Sequence, residues 1–456
     1  MSATQIAPVH AARPRAPRGT LVWGHHEAFL RDKLGFITGT AREFGDFVPL
    51  RFGPQRLFLL SDPAGIAEVL TTRAASFRKD RGLRRVKVLL GEGLLTSEGA
   101  DHERRSRIAQ PAFRPKAVET YAGSMVGLTE AAAAEWAARP EGRVDLWAEL
   151  SRLTLGIAAE TLFGGDVVHE SPGFGAAFTE LLSLIEHRTN ALLPIPLAIP
   201  TCENRRFVRA RRVLDEAVYG LIRSRRGQQR AGVERDDLLS RLLAPPADGG
   251  PALTDEQLRD EVMTLVLAGH ETTANALSFT FALLARNPGA LERVRAEVDR
   301  VLGARPASAA DAAALVECSL AVQEAMRIYP PAWMIGREAA EDVELSGGRR
   351  VPAGAIVMMS PFVVQRDPRW WPEPLAFRPA RFAHDAPRPA PFTYFPFGGG
   401  KRACIGRSFA LLEATLVLAT VIQRLELAID PARPLDLVAL ITLRPKAGIE
   451  ARVRAR

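Results

Sequence analysis

At 456 residues, 47% of them hydrophobic and with a mean hydropathy of -0.02, the chain has material for a substantial buried core, and it carries no low-complexity block or internal repeat. Sixty basic against fifty-two acidic residues give a formal charge of +8 and a pI near 9.8, yet no aromatic-interleaved basic run or recognition motif supports nucleic-acid binding. The cysteines, Cys202, Cys318 and Cys404, are odd in number and lack CxxC spacing, which argues against a disulfide framework or zinc site and suits a reducing cytoplasm.

Residues 1–18 read as a flexible N-terminal tail of prolines and arginines, with no signal-peptide core and no apolar run near the roughly 18 residues that span a membrane. Residues 19–456 read as one domain, because the residues suggestive of chemistry sit near 102, 268, 324, 381 and 404 and must converge on one site. Short β-like runs at 47–52 and 57–61, the second followed by a helix-like 63–70, predict a small sheet beside a helical body. Helical patterns dominate 117–329, interrupted at 244–251 by APPADGGP.

The next segment, 258–284, is rich in helix formers, opens on a capping-box pattern at Thr254 and Gln257 and stops at Asn287-Pro288-Gly289. Counted from Thr254 it is roughly 50 Å long, enough to cross a whole domain. In its middle stands AGHETT, 268–273, where Gly269 and the Thr272-Thr273 pair weaken the backbone ladder, so a locally opened turn is expected there. His270-Glu271 does not make a zinc helix motif, since Ala274 occupies the second ligand position. Further on, Glu324 and Arg327 lie three apart on one face of an apolar helical stretch, 315–329. FRPARF follows at 377–382.

Residues 395–408 read FPFGGGKRACIGRS. They are no phosphate loop, because Phe395 stands where the first glycine belongs and Arg402 follows Lys401. The loop supplies what a metal-bound thiolate needs. Gly398 to Gly400 permit a tight turn with amides aimed at sulfur, Gly406 permits close approach of the following helix (405–425), Phe397 can shield Cys404 and Arg402 can meet an anion. Alone, Cys404 would read as an ordinary buried thiol; the spacing around it reverses that. The runs 440–445 and 448–453 close the chain as an expected hairpin.

Phe397 to Gly406 match Phe-x-x-Gly-x-Arg-x-Cys-x-Gly without departure, and the chain here resembles the cytochrome P450 family, in the style of bacterial members of its eukaryotic-like branch. The resemblance implies a mainly α fold with small β-sheets, and a haem b (iron protoporphyrin IX) between the long helix and Cys404 as its metal ligand. It assigns cofactor binding to His102, Arg337, Phe397, Gly398, Arg402, Cys404 and Gly406, and a proton relay to Glu271 and Thr272. Glu324, Arg327 and Arg381 form its structural triad, with Ala380 standing where the family often has Glu. Where the family often has a second C-helix donor this chain has Ser106, and Arg105 or Arg107 is the possible substitute. By the same resemblance 77–94, 181–197, 266–273, 331–335 and 438–441 line the substrate pocket, with Ala268, Trp333, Ile335 and Ile441 as its candidates; His187 and Arg188 either meet a substrate carboxylate or face water.

The activity implied is insertion of one oxygen atom from O2 into a lipophile such as a fatty acid or terpenoid. The electrons come from a separate ferredoxin or flavodoxin with its reductase, because the chain has neither a dinucleotide fingerprint nor an iron–sulfur cysteine cluster. Arg104, Arg105, Arg107 and Lys401 are either its docking patch or part of an evenly basic surface. A cytoplasmic monomer without a membrane span is expected. The rival readings are a peroxide-driven peroxygenase and a haem-binding sensor or carrier without turnover.

Overall fold

The structure, a computed structural model, describes residues 16–164, 173–191, 195–233, 235, 237–245 and 250–456. Most of the expected tail, the middle of the 244–251 interruption and part of the 181–197 segment therefore lie outside the described residues. Among the described residues no helix is long and apolar enough to cross a membrane.

The long helix runs unbroken from Asp255 to Arg286. Its start is the capping box read from the sequence: Thr254 Oγ1 accepts from the Gln257 amide and Gln257 Oε1 from the Thr254 amide. Such a cap stabilises a helix by about 1 kcal/mol. The helix lies in the centre of the largest core cluster, packed on Leu146–Phe163, Cys202–Arg230, Val316–Ile328 and Arg407–Arg424. The opened turn expected at 268–273 is absent. Thr272 Oγ1 donates to the Ala268 carbonyl at 2.6 Å, so its hydroxyl bonds back within the helix instead of diverting the backbone ladder.

A five-stranded mixed sheet flanks the helices in the spatial order Phe47–Phe52, Gln55–Leu60, Ile356–Met359, Ile335–Ala339 and Phe77–Lys79. Only the pairing of Gln55–Leu60 with Ile356–Met359 is parallel. The antiparallel pair at the far edge sets Lys79 opposite Arg337. Directly opposed residues share a sheet face, so this register brings two cations together.

The expected terminal hairpin divides. Leu443–Pro445 pairs with Leu437–Ala439, whereas Glu450–Ala455 joins Arg143–Asp145 and Leu425–Ala428 in a separate three-stranded sheet. Gly448 redirects the chain with φ +71°, and a Cβ there would stand 2.3 Å from the Asp145 carboxylate. That carboxylate also accepts the Ile449 amide at 3.1 Å, drawing the last strand toward Arg143–Asp145.

Candidate active site

The loop that carries Cys404 is shaped by glycine and pinned from both sides. Gly398 and Gly400 hold φ of +69° and +68°. A Cβ on Gly400 would stand 1.9 Å from the Leu70 carbonyl oxygen, so the loop can dock on the Glu68–Thr72 turn only with glycine there. The Cys404 amide donates to the Phe397 carbonyl at 2.9 Å, closing a ring beneath the sulfur. Gln365 ties the loop to the body: its Oε1 accepts from the Phe395 amide, and its Nε2 donates to the carbonyls of Met326 and Arg327.

Glu324 and Arg327 are wholly buried and joined by a bidentate pair at 2.7 and 2.8 Å. Arg381 Nε lies 3.3 Å from Glu324, which also accepts the Arg378 amide, while Arg327 spends its remaining donors on the carbonyls of Gln365, Pro374 and Ala376. The three residues singled out in the sequence are thus one network, next to the chain that leads into the Cys404 loop.

Two openings interrupt this otherwise packed interior. From Leu258 to Leu284 every residue of the long helix is buried except Ala268, Gly269 and Thr272, which share one face. Cys404 is likewise exposed, although Phe395 and Phe409 on either side of it in the chain are buried. The helix Arg407–Arg424, which begins just beyond Cys404, packs on the long helix and sets its Glu413 beside Thr273, the neighbour of Thr272. Although the residue reaches solvent, the protein packed around its sulfur pushes the Cys404 thiol up, opposed by the Gly406 amide and the charge of Arg407.

A group of cations surrounds this place. Arg337 is buried, its guanidinium donates to the Gly336 carbonyl, and among the described residues no carboxylate lies within ion-pair distance of it. Burial, then the charge of Arg402, lower its pKa to about 10. Lys79, unremarked in the sequence, is also buried and donates to the carbonyls of Leu94 (3.0 Å) and Ser97 (2.5 Å). Its pKa falls to about 8, first through burial, with Arg402, Arg337 and Lys87 adding to the fall and Glu98 opposing it. Arg402 grips Glu98 at 2.5 Å and the Phe77 carbonyl at 3.0 Å. His102 Nδ1 meets the Leu94 carbonyl at 3.1 Å, and since a carbonyl only accepts, that nitrogen carries the proton. A buried cationic excess beside an open thiol and an open turn of helix suits a flat cofactor with a thiolate-bound metal and pendant carboxylates. The residues present therefore fit a haem.

Several expected contributions fall elsewhere. Arg105 is 2% exposed and pairs with Glu261 and Asp101, so it neither replaces the donor missing at Ser106 nor belongs to a docking surface. Arg107 and Lys401 are exposed, and Lys401 lies 3.6 Å from Glu103. Trp333 is buried against Phe29, with its indole N–H on the Leu440 carbonyl, because that side chain completes a second core cluster instead of lining an opening. Ile335 is half-buried and abuts Gly398; Ile441 is exposed in the turn before Leu443. Arg188 is committed to Asn204 and the Ile195 carbonyl, and His187 faces water.

Glu413, also missed in the sequence, is completely buried on the helix after Cys404, with Thr273 of the long helix beside it and its pKa raised well above the usual range by burial. Its position nine residues after Cys404, on the helix face turned to the long helix, was the available signal. Glu271 is buried in the same turn of the long helix as Thr272.

Comparison with known proteins gives a coherent answer. The family model described as Cytochrome P450 matches residues 14–449. Cyclooctatin synthase of Streptomyces melanosporofaciens is 37% identical, the alignment covering 93% of this chain and 92% of that protein. Pentalenene oxygenase of Streptomyces avermitilis is 34% identical, with 97% of each covered. A solved structure described as retinoic acid bound cyanobacterial CYP120A1 superposes with a TM-score of 0.85 at 28% identity, covering 97% of this chain and 99% of that one.

Proposed function

The chain belongs to the cytochrome P450 family and is a monooxygenase with a haem cofactor, and from that premise we propose that it hydroxylates a terpenoid or similar lipophilic hydrocarbon. The cofactor is haem b, and two electrons arrive from a ferredoxin or flavodoxin with its reductase. The balance is RH + O2 + 2 electrons + 2 protons → ROH + H2O. The observation that carries this reading is the open face of Ala268, Gly269 and Thr272 in an otherwise buried helix, together with the solvent exposure of residue Cys404.

Bound through a thiolate, a haem supplies the electron donation that favours O–O cleavage. The protein supplies the rest. Cys404 is the ligand, its charge held by the Gly406 amide and by Arg407. Arg337 and Arg402 would hold the porphyrin carboxylates, and His102, whose one neutral-ring proton is on the Leu94 carbonyl, would join them only as the imidazolium. Glu324, Arg327 and Arg381 fix the approach to the ligand loop. Thr272 rests with its proton on the Ala268 carbonyl, so its oxygen accepts from water until a side-chain rotation turns the proton toward the substrate side. Glu271, in the same helical turn, replenishes that proton. The small side chain at Ala268 would leave room beside Thr272, whereas Gly269 lies against Ala158 of the helix Leu146–Phe163.

The relatives named for cyclooctatin and pentalenene, with a cyclooctat-9-en-7-ol 5-monooxygenase of Streptomyces melanosporofaciens that is 34% identical over 92% of this chain, support a terpenoid substrate, either a hydrocarbon or one already carrying a hydroxyl. The commitment of Arg188 to Asn204 and Ile195 removes one of the two candidate anchors for a carboxylate and weakens the fatty-acid alternative. We place the enzyme in the cytoplasm as a monomer. The test is a spectral-shift screen of terpenoid hydrocarbons and fatty acids, followed by turnover of the tightest binder with NADH, ferredoxin and reductase or with hydrogen peroxide. Hydroxylated terpenoid in the first assay is expected; product only with peroxide, or from fatty acids alone, overturns the proposal.

A further inference from the structure

One residue, Leu94, joins the cation group to the long helix through the two peptide bonds that flank it. The Leu94 carbonyl accepts from Lys79 Nζ at 3.0 Å and from His102 Nδ1 at 3.1 Å, while the Leu94 amide donates to Glu261 Oε2 at 3.1 Å. Glu261 is itself 1% exposed, and its other oxygen takes Arg105 Nη1 at 2.7 Å. Arg105 and His102 both lie on the helix Gly99–Ala109, so the contacts close a ring: Leu94, His102, that helix, Arg105, Glu261 and back to Leu94. Asp101 braces Arg105 from the same helix at 2.7 Å.

The approach is close by construction. A Cβ on Gly93 would stand 2.1 Å from Thr264 Oγ1 and 2.5 Å from the Asp260 carbonyl, and one on Gly91, at φ +61°, would stand 2.0 Å from the Asp260 carboxylate. Asp260 adds a second hold, accepting the Glu92 amide at 2.8 Å. Two successive acidic residues of the long helix therefore grip alternate amides of a loop whose Leu94 carbonyl holds Lys79 and His102.

We propose that Glu261 is a positioning residue for the cofactor, acting through residue Leu94, whose amide it holds and whose carbonyl fixes where Lys79 and His102 present their nitrogens, and that Lys79 is a further porphyrin-carboxylate ligand. The proposal rests on the haem-thiolate reading above. A lysine stem is floppy and pays rotamer entropy whenever it is held, and here it also faces the like charges of Arg337 and Arg402. Two carbonyl acceptors hold it near them before any anion arrives. Those carbonyls stay in place only while the loop is fastened to the long helix.

Haem transfer from the oxidised holoenzyme to excess apomyoglobin tests this, combined with amide hydrogen exchange over 91–97. Glu261→Gln keeps the volume and an acceptor but loses the charge that holds Arg105. Gly93→Ala moves the peptide without changing any charge. Both are expected to release haem roughly tenfold faster than the parent, a difference of about 1.4 kcal/mol, with faster exchange at 91–97 and an unmoved thiolate band in the reduced, carbon-monoxide-treated spectrum. Lys79→Met should speed haem release to a similar extent while leaving exchange at Glu92 unchanged. Parent-like haem release in Glu261→Gln and Gly93→Ala, or release that rises only in step with a general rise in exchange across the whole chain, overturns the proposal. The readout is retention and not turnover, so failure to find a substrate does not bear on it. A parent protein without a thiolate band sinks the underlying reading instead.

Discussion

The helix Val316–Ile328 and the long helix Asp255–Arg286 both bury polar side chains, and they treat them in opposite ways. Glu324 and Arg327 are fully buried and hydrogen-bonded to each other, to the Arg378 amide and to backbone carbonyls, with Arg381 Nε at ion-pair distance but without a hydrogen bond of its own. On the long helix, His270 Nδ1, Thr264 Oγ1 and Ser278 Oγ are buried with no hydrogen-bond partner among the described residues, and across from it the buried carboxyl of Glu413 has only Thr273 beside it. A satisfied network fixes one geometry; unmatched polar atoms mark where a fold has given up stability at its working face. The thiolate side is thus a rigid seat and the long helix a polar, partly open wall. Variants in the two regions should fail in different ways.

The largest effect is expected on the seat. Glu324→Ala leaves Arg327 charged and unpaired in the interior, at a cost of about 3 to 5 kcal/mol, so the variant should accumulate little folded, haem-loaded protein. Thermal unfolding of whatever is recovered checks this, and a midpoint matching the parent would mean that the triad is dispensable.

On the wall, burial lowers the His270 pKa to about 4. The native state therefore holds His270 neutral while the unfolded chain protonates it near its ordinary value of about 6.5. The unfolded state binds the extra proton, so this contribution to stability is complete above about pH 6.5 and is lost as pH falls toward 4, by roughly 3 kcal/mol. Replacing His270 by Gln should flatten the fall of unfolding free energy between those pH values; an unchanged slope would place the titration elsewhere.

The smallest effect on stability, under about 1 kcal/mol, belongs to Thr272→Ala, which removes one exposed hydroxyl bonded within its own helix. Its consequence should be chemical. Haem is retained, oxygen is still consumed, and a larger share of NADH ends as peroxide. Unchanged coupling of NADH to product would remove Thr272 from the proton relay.

What the sequence discloses follows how local its causes are. The capping box at Thr254, the strands at Phe47–Phe52 and Gln55–Leu60 and the Cys404 loop each arise within a few neighbouring residues, and each was readable. Lys79 was not, because its significance comes from pairing with Arg337 more than two hundred residues away. Arg105 read as a surface charge for the converse reason: its partner Glu261 is 156 residues away in the chain. Trp333 stands between prolines and a strand in a segment expected to border the pocket, and only the packing of Phe29 against it shows that it belongs to the core. The terminal hairpin failed through one glycine and one aspartate, Gly448 and Asp145, acting across three hundred residues.

The central claim is that Cys404 holds a haem as its thiolate. The absorption spectrum of the reduced, carbon-monoxide-treated protein tests it most directly, with Cys404→Ser alongside. The parent should show the long-wavelength Soret band of thiolate ligation and the variant should lose it while keeping its helical content. A fully loaded, folded parent without that band, or a Cys404→Ser protein that retains it, contradicts the account.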